Sequence, residues 1–382
     1  MLNLESLEVY MRKPILYLIL VILTFILPHS VTAAEPQLIG EFALEEKNPS
    51  GDILSGNLIL SSPEGFLVLT SDGKKSYQAT LKPSQGLVTS ENGEGFGIIT
   101  YSKESSPDFL TMESFDLYYA NGNKLLTIEK PGASDFYISH QANLLVGVST
   151  REGSQKSRLV FYNRSANLLK SMEVGLPEKI SFSQNDKYVF VNGRKEGLLA
   201  FDDSANLKVN YGLCEKFASS SDGEYVAKVY ADTLKFYHQG KPIGIPLNVN
   251  PLIRNLSFSP DNKYLTIIDK KNLFLFEVQT GKLLWQYTLD KPELSFISVD
   301  VSSNAEKIIA GIDFDRGRKV APEDRHTNGF VYLFDKGGKI VWIKELSYKL
   351  WGNSFPQVKF SPDGTRFSIL TREKIYLFTS PL

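Results

Sequence analysis

Cysteine is almost missing from this chain. Cys214 stands alone in 382 residues, so no intrachain disulfide can form. Flanked by Tyr211-Gly212-Leu213 and with no histidine near it in sequence, it reads as a buried structural thiol rather than a nucleophile. Histidine is also scarce. His29, His140, His238 and His326 show no paired spacing, which argues against a zinc site. An excess of either charge is lacking too, with 42 Lys+Arg against 43 Asp+Glu. No segment forms a basic stripe, so nucleic acid is not an expected partner. Walker-type phosphate loops and the Gly-x-Ser-x-Gly elbow of serine hydrolases are absent. After Ala34 no segment carries the period of an amphipathic helix.

The one long apolar run lies at the start. Met11-Arg12-Lys13 precedes Pro14–Leu27, and Val31-Thr32-Ala33-Ala34 follows. A basic region, an apolar stretch and small residues predict a secretory signal over 1–33, cut after Ala33 or Ala34. The apolar stretch is short for a spanning helix, which needs about 20 residues. With no cysteine at the cleavage site, a lipoprotein is not expected. Glu5 and Glu8 sit oddly before the basic pair, which fits a true start at Met11. The alternative is an uncleaved anchor, the only membrane attachment the sequence offers.

What is present is a repeat. Asn255–Leu289 reads as four short strands rich in β-branched and aromatic residues, bounded by turn formers. Its first turn, Ser259-Pro260-Asp261-Asn262, has counterparts at Ser90-Glu91-Asn92-Gly93, Ser139-His140-Gln141-Ala142 and Ser183-Gln184-Asn185-Asp186. Others follow at Ser220-Ser221-Asp222-Gly223, Ser302-Ser303-Asn304-Ala305 and Ser361-Pro362-Asp363-Gly364. The third positions differ by 49, 44, 37, 39, 43 and 59, close to the period of about 40 of a four-stranded propeller blade. A third and a fourth strand recur behind most turns, joined by tight hairpins such as Asn121-Gly122-Asn123-Lys124 and Lys336-Gly337-Gly338-Lys339.

The Phe-Ser-Pro-Asp-Gly turn at Phe360–Gly364 resembles WD40-type and TolB-type blades. Thr280-Gly281-Lys282-Leu283-Leu284-Trp285 resembles the Gly-Lys-x-x-Trp of quinoprotein-like (PQQ-like) repeats. From about Pro36 to Leu382 the chain thus resembles a bacterial secreted WD40-like or quinoprotein-like β-propeller. The Gly-His and Trp-Asp signatures of eukaryotic WD40 repeats are missing. The adjacent cysteine pair of quinoprotein dehydrogenases is missing as well, so no cofactor is expected.

The expected fold is all-β: one propeller over 37–382, built of four-stranded antiparallel blades. Val358–Phe360, Arg366–Leu370 and Ile375–Thr379 give three strands before the sequence ends, and Leu38–Leu44 is placed to supply the fourth and close the ring. Asn57–Ser61, Phe66–Thr70 and Ser76–Leu81 then make most of another blade. About 31 strands favour eight blades, with seven as the alternative.

In a propeller the connections between second and third strands share one face with those between blades, and loops on a rigid scaffold carry function. Three such loops read as long: Ser102–Ser114, Thr150–Ser157 and Asp313–Asn328. The last holds Asp313, Asp315, Arg316, Arg318, Asp324, Arg325 and His326, the candidate binding residues. Asp313-Phe314-Asp315-Arg316-Gly317 faintly resembles a calcium loop but lacks a third early carboxylate and a bidentate glutamate, so no metal is expected. No catalytic residue stands out. The expected function is that of a non-catalytic, exported, monomeric scaffold, periplasmic or extracellular, that binds a protein or another envelope component. The alternative is an enzyme acting on a carbohydrate or small molecule through scattered residues of the loop face. A carboxylate cluster with Arg or His at the central opening favours the enzyme, and an apolar patch on one face favours the scaffold.

Overall fold

Short apolar runs without a helical period bury both faces only by stacking sheet on sheet. The computed structural model describes residues 35–380 apart from 44–47, 52–56, 63, 71–73, 103–111, 151–152, 250–251, 315–325, 350–355, 362 and 372. The proposed signal lies outside these. Gln37–Ser380 forms one compact unit of eight four-stranded antiparallel sheets. Blades 1 to 7 run Asn48–Thr80, Gln85–Glu129, Asp135–Gly175, Pro177–Asn210, Lys216–Asn248, Asn255–Thr288 and Leu294–Lys349. Blade 8 joins Gln357–Thr379 to the N-terminal strand Leu38–Ala43. Eight blades are therefore present, not seven. Ser303–Ala305 is a short 3₁₀ turn.

Strand alternation explains the stacking. In the second strand of blade 7, Ile308, Ala310 and Ile312 face blade 6, while Ile309 faces blade 8. Blade 1 divides Leu58 and Leu60 from Ile59 in the same way, between blades 8 and 2. Each middle strand is buried on both sides, so its sequence is continuously apolar instead of alternating. Eight apolar clusters result, one per interface between neighbouring blades. The ring is thus closed by packing all the way round.

The closing strand pairs by hydrogen bonds with the last strand of the chain. Leu38–Ala43 runs antiparallel to Lys374–Phe378, with Phe42 opposite Ile375. Lys374 Nζ lies 2.6 Å from Glu41 Oε1 at this seam. Closure covers what is otherwise an open sheet edge. Blade 1 is completed by Asn48–Gly51, paired with Leu58–Ser61. Pro49 is tolerated there because an innermost strand has a free edge.

The turn between first and second strands is built alike in seven blades. The serine that opens it is at most 4 % exposed in each. Its Oγ accepts the N–H of the residue five positions on, at 2.9–3.0 Å, in Ser90, Ser139, Ser183, Ser220, Ser259, Ser302 and Ser361. In five of them the hydroxyl donates to the Asp or Asn at the third position, as Ser259 does to Asp261 (2.6 Å) and Ser361 to Asp363 (2.6 Å), whereas Ser302 donates to Lys307 O (3.0 Å). Those bonds hold the Asp363 carboxyl below its ordinary range. The fourth residue is left-handed and presses on the preceding blade. Asn262 donates to Asp222 (2.8 Å), and Asp186 accepts from Ser139 Oγ (2.7 Å) and Gln141 N (2.9 Å). These bonds tie neighbouring turns into a collar on one face of the ring.

Candidate functional site

The predicted loop is narrower than the sequence suggests. Blade 7's second strand runs to Phe314 and its third begins at His326, so the connection between them is 315–325. Asp313 lies in the strand, half-buried, opposite Ser295. His326 opens the third strand opposite Lys349. Asp315, Arg316, Arg318, Asp324 and Arg325 fall outside the described residues, and so does most of the Ser102–Ser114 loop. The loop expected over Thr150–Ser157 falls between the strands Leu144–Thr150 and Lys156–Asn163, which leaves 151–155 as the connection. Thr150 pairs with Ser157 at its base, their hydroxyls 2.6 Å apart.

A second concentration of polar side chains lies on the axis. First strands of successive blades adjoin there, blade 5 beside 6, 6 beside 7 and 7 beside 8. Alternation turns every other residue of these strands inward. At the turn face the channel holds a cavity of about 280 Å³. Its wall includes Lys179, Ser181, Ser257, Asp300 and Lys359. Its rim carries Glu91, His140, Gln184, Ser221 and Pro260, the second residues of five successive turns.

Each charge here has a distinct setting. Asp300 accepts from Ser257 Oγ (2.6 Å) and Phe360 N (2.8 Å), so its carboxylate joins blades 6, 7 and 8. Burial raises its pKa, against the pull of those bonds and of Lys359. Lys179 is exposed to channel solvent by surface area, although protein crowds its side chain. Burial lowers its pKa, with Glu91 opposing and Lys216 adding to the fall. Its ammonium lies 4.7 Å from the ring centroid of Phe217 on blade 5. His140 sits between two carboxylates. Nε2 is 3.3 Å from Glu91 Oε2 and Nδ1 is 3.9 Å from Asp186 Oδ1. That Nδ1 and that Oδ1 are both buried without a hydrogen-bond partner.

Among the described residues no three His, Cys, Asp or Glu side chains form a metal-ligating cluster. Cys214 is half-buried, not fully buried as expected, and burial pushes its thiol up to about 11. A thiol so rarely ionised is a poor nucleophile. The channel residues escaped the sequence reading because they are far apart along the chain. The turn serines point to them: Ser181, Ser257, Asp300 and Lys359 each stand two positions before one, and Lys179 four.

The fold and this axial cavity define an eight-bladed β-propeller. No protein-family model matches the chain, and no curated protein matches it either. Solved structures do. The C-terminal WD40 domain of Sif2 matches with TM-score 0.55 at 11 % identity, over 91 % of this chain and 99 % of that one. BamB from Moraxella catarrhalis gives 0.56 at 13 %, over 91 % and 98 %. A eukaryotic initiation factor gives 0.57 at 12 %, over 91 % and 88 %. Identities this low convey a shared fold and nothing finer.

Proposed function

We propose that the protein is an exported propeller scaffold that binds a protein or another component of the cell envelope through its loop face, without chemistry of its own. The carrying observation is a set of exposed apolar side chains on that face. Leu213 is 43 % exposed, Tyr230 42 % and Leu252 63 %. They come from the connections on either side of blade 5 and from the end of its second strand. Between Tyr230 and Thr233 the chain reverses through Ala231 and Asp232, both left-handed (φ 45 and 65), a hairpin too short to cover its neighbours. Exposed apolar groups on a loop face are what a protein partner buries. The 315–325 connection of blade 7 joins a second strand to a third, as the Tyr230–Thr233 hairpin does in blade 5, and is proposed to set specificity, with Asp313 and His326 beside it in sequence.

The resemblance to bacterial secreted WD40-like or quinoprotein-like propellers and the apolar Pro14–Leu27 support an exported location. A fusion of residues 1–40 to a reporter active only outside the cytoplasm tests it. Activity is expected, and an inactive fusion would sink the export reading. For the scaffold, replacing 315–325 with a short Gly-Ser turn, or Leu213 and Leu252 with Asp, is expected to abolish capture of the partner from envelope extract.

The enzyme reading keeps one observation in its favour, His140 between Glu91 and Asp186. Against it, Asp186 is 5 % exposed and its other oxygen is taken up by the turn of blade 3. Turnover that falls with His140→Gln would favour the enzyme.

A further inference from the structure

We propose that the turn-face end of the axial channel is a binding site for a small oxyanion, a phosphate or a carboxylate, seated against blades 4 and 5. One wall of that cavity carries several polar side chains without partners among the described residues. Lys179, Ser181 and Gln184 of blade 4 and Ser219 and Ser221 of blade 5 all line the one cavity. Among the described residues none of these five side chains has a hydrogen-bond acceptor; Lys179 has its contact with Phe217 and a longer-range attraction to Glu91. Nearby carboxylates are committed elsewhere. Glu91 faces His140, and Asp300 is held by Ser257 and Phe360 N–H. One wall of a cavity of about 280 Å³ therefore holds an ammonium and four side chains whose donors no other described residue takes up.

An ammonium and several hydroxyls converging on one space suit a ligand with several terminal oxygens and negative charge. Such a ligand also relieves Lys179, whose charged form is disfavoured by burial, which Glu91 only partly offsets. The cavity opens beside the collar of turns, away from the loop face. The inference therefore stands whether or not a protein docks there.

The test is a thermal-shift titration of the whole protein with inorganic phosphate and, separately, with succinate, each against chloride at equal ionic strength. At least one of the two is expected to raise the Tm, and which one does so distinguishes phosphate from carboxylate. Lys179→Gln is expected to weaken that binding about tenfold or more, the usual scale for losing a charged hydrogen bond. Ser219→Ala with Ser221→Ala is a second variant, expected to weaken it less. Lys187→Gln, an exposed lysine of the blade 4 turn, is expected to leave it unchanged. No rise with either anion would overturn the proposal. So would a rise that Lys179→Gln and the serine pair both retain in full, or one that Lys187→Gln loses as well.

Discussion

The two faces of the ring are built by opposite rules. On the turn face one device recurs seven times, with the same buried serine, the same hydrogen bond to the residue five positions on and the same left-handed fourth residue. On the loop face no two connections need match. Blade 5 reverses through Ala231 and Asp232 alone, while blade 7 spends 315–325 on the same step. Repetition marks the part that holds the ring together. Departure from the repeat marks the part free to recognise something, because a loop that no neighbour depends on can change without cost to the core.

The contrast can be broken most severely at two glycines of similar conformation. Gly93 on the turn face has φ 72, and a Cβ there would lie 1.9 Å from the carbonyl oxygen of Asn57. Gly153 on the loop face has φ 70 and nothing within 4 Å. Gly93→Ala is expected to cost roughly 3 kcal/mol, left-handed strain plus overpacking. Gly153→Ala should cost only about 1 kcal/mol, the strain alone. Equal losses in denaturant unfolding would dissolve the distinction.

Next in size is Ser220→Ala. It strips the Tyr225 N–H of its side-chain acceptor and Asp222 of a donor. A loss of about 1–3 kcal/mol is expected, since a buried polar group then goes unmet. An unchanged midpoint would mean that the collar is decoration.

A smaller effect sharpens the picture of the channel. Burial holds the Asp300 carboxyl above its ordinary pKa, so the folded protein keeps this proton longer than the unfolded chain does. The group's contribution to stability is full below the ordinary carboxylate value of about 3.9 and is lost as pH rises through the folded value. Asp300→Asn removes that term. The Tm of the wild type relative to the variant should therefore fall steadily as pH is raised from about 4 to 7. A relative Tm that climbs with pH over the same range contradicts the assignment.

Much of the fold was legible in the residues. The blade count followed from the turn serines and from the three strands left over near Asn57–Leu81. The closing strand followed from Leu38–Leu44. Asn48–Gly51 did not show, because Asn-Pro-Ser-Gly carries no strand-forming side chain and is held only by pairing with Leu58–Ser61. Thr150–Ser157 read as a loop because its residues are polar, and the connection does fall inside it, at 151–155, with Thr150 and Ser157 paired at its base. The channel was the least legible part. Lys179, Asp300 and Lys359 meet only because the ring closes, and no local pattern encodes that meeting until the offset from each turn serine is known.

The central claim is that recognition lives on the loop face and stability on the rest of the ring. Its most direct test pairs a thermal melt with affinity capture from envelope extract, using the wild type and the variant with 315–325 replaced by a Gly-Ser turn. The account predicts melting temperatures that agree within about 1–2 °C, as expected for a surface change, and a captured protein that the variant no longer retains. Undiminished capture by a variant that melts like the wild type would contradict it.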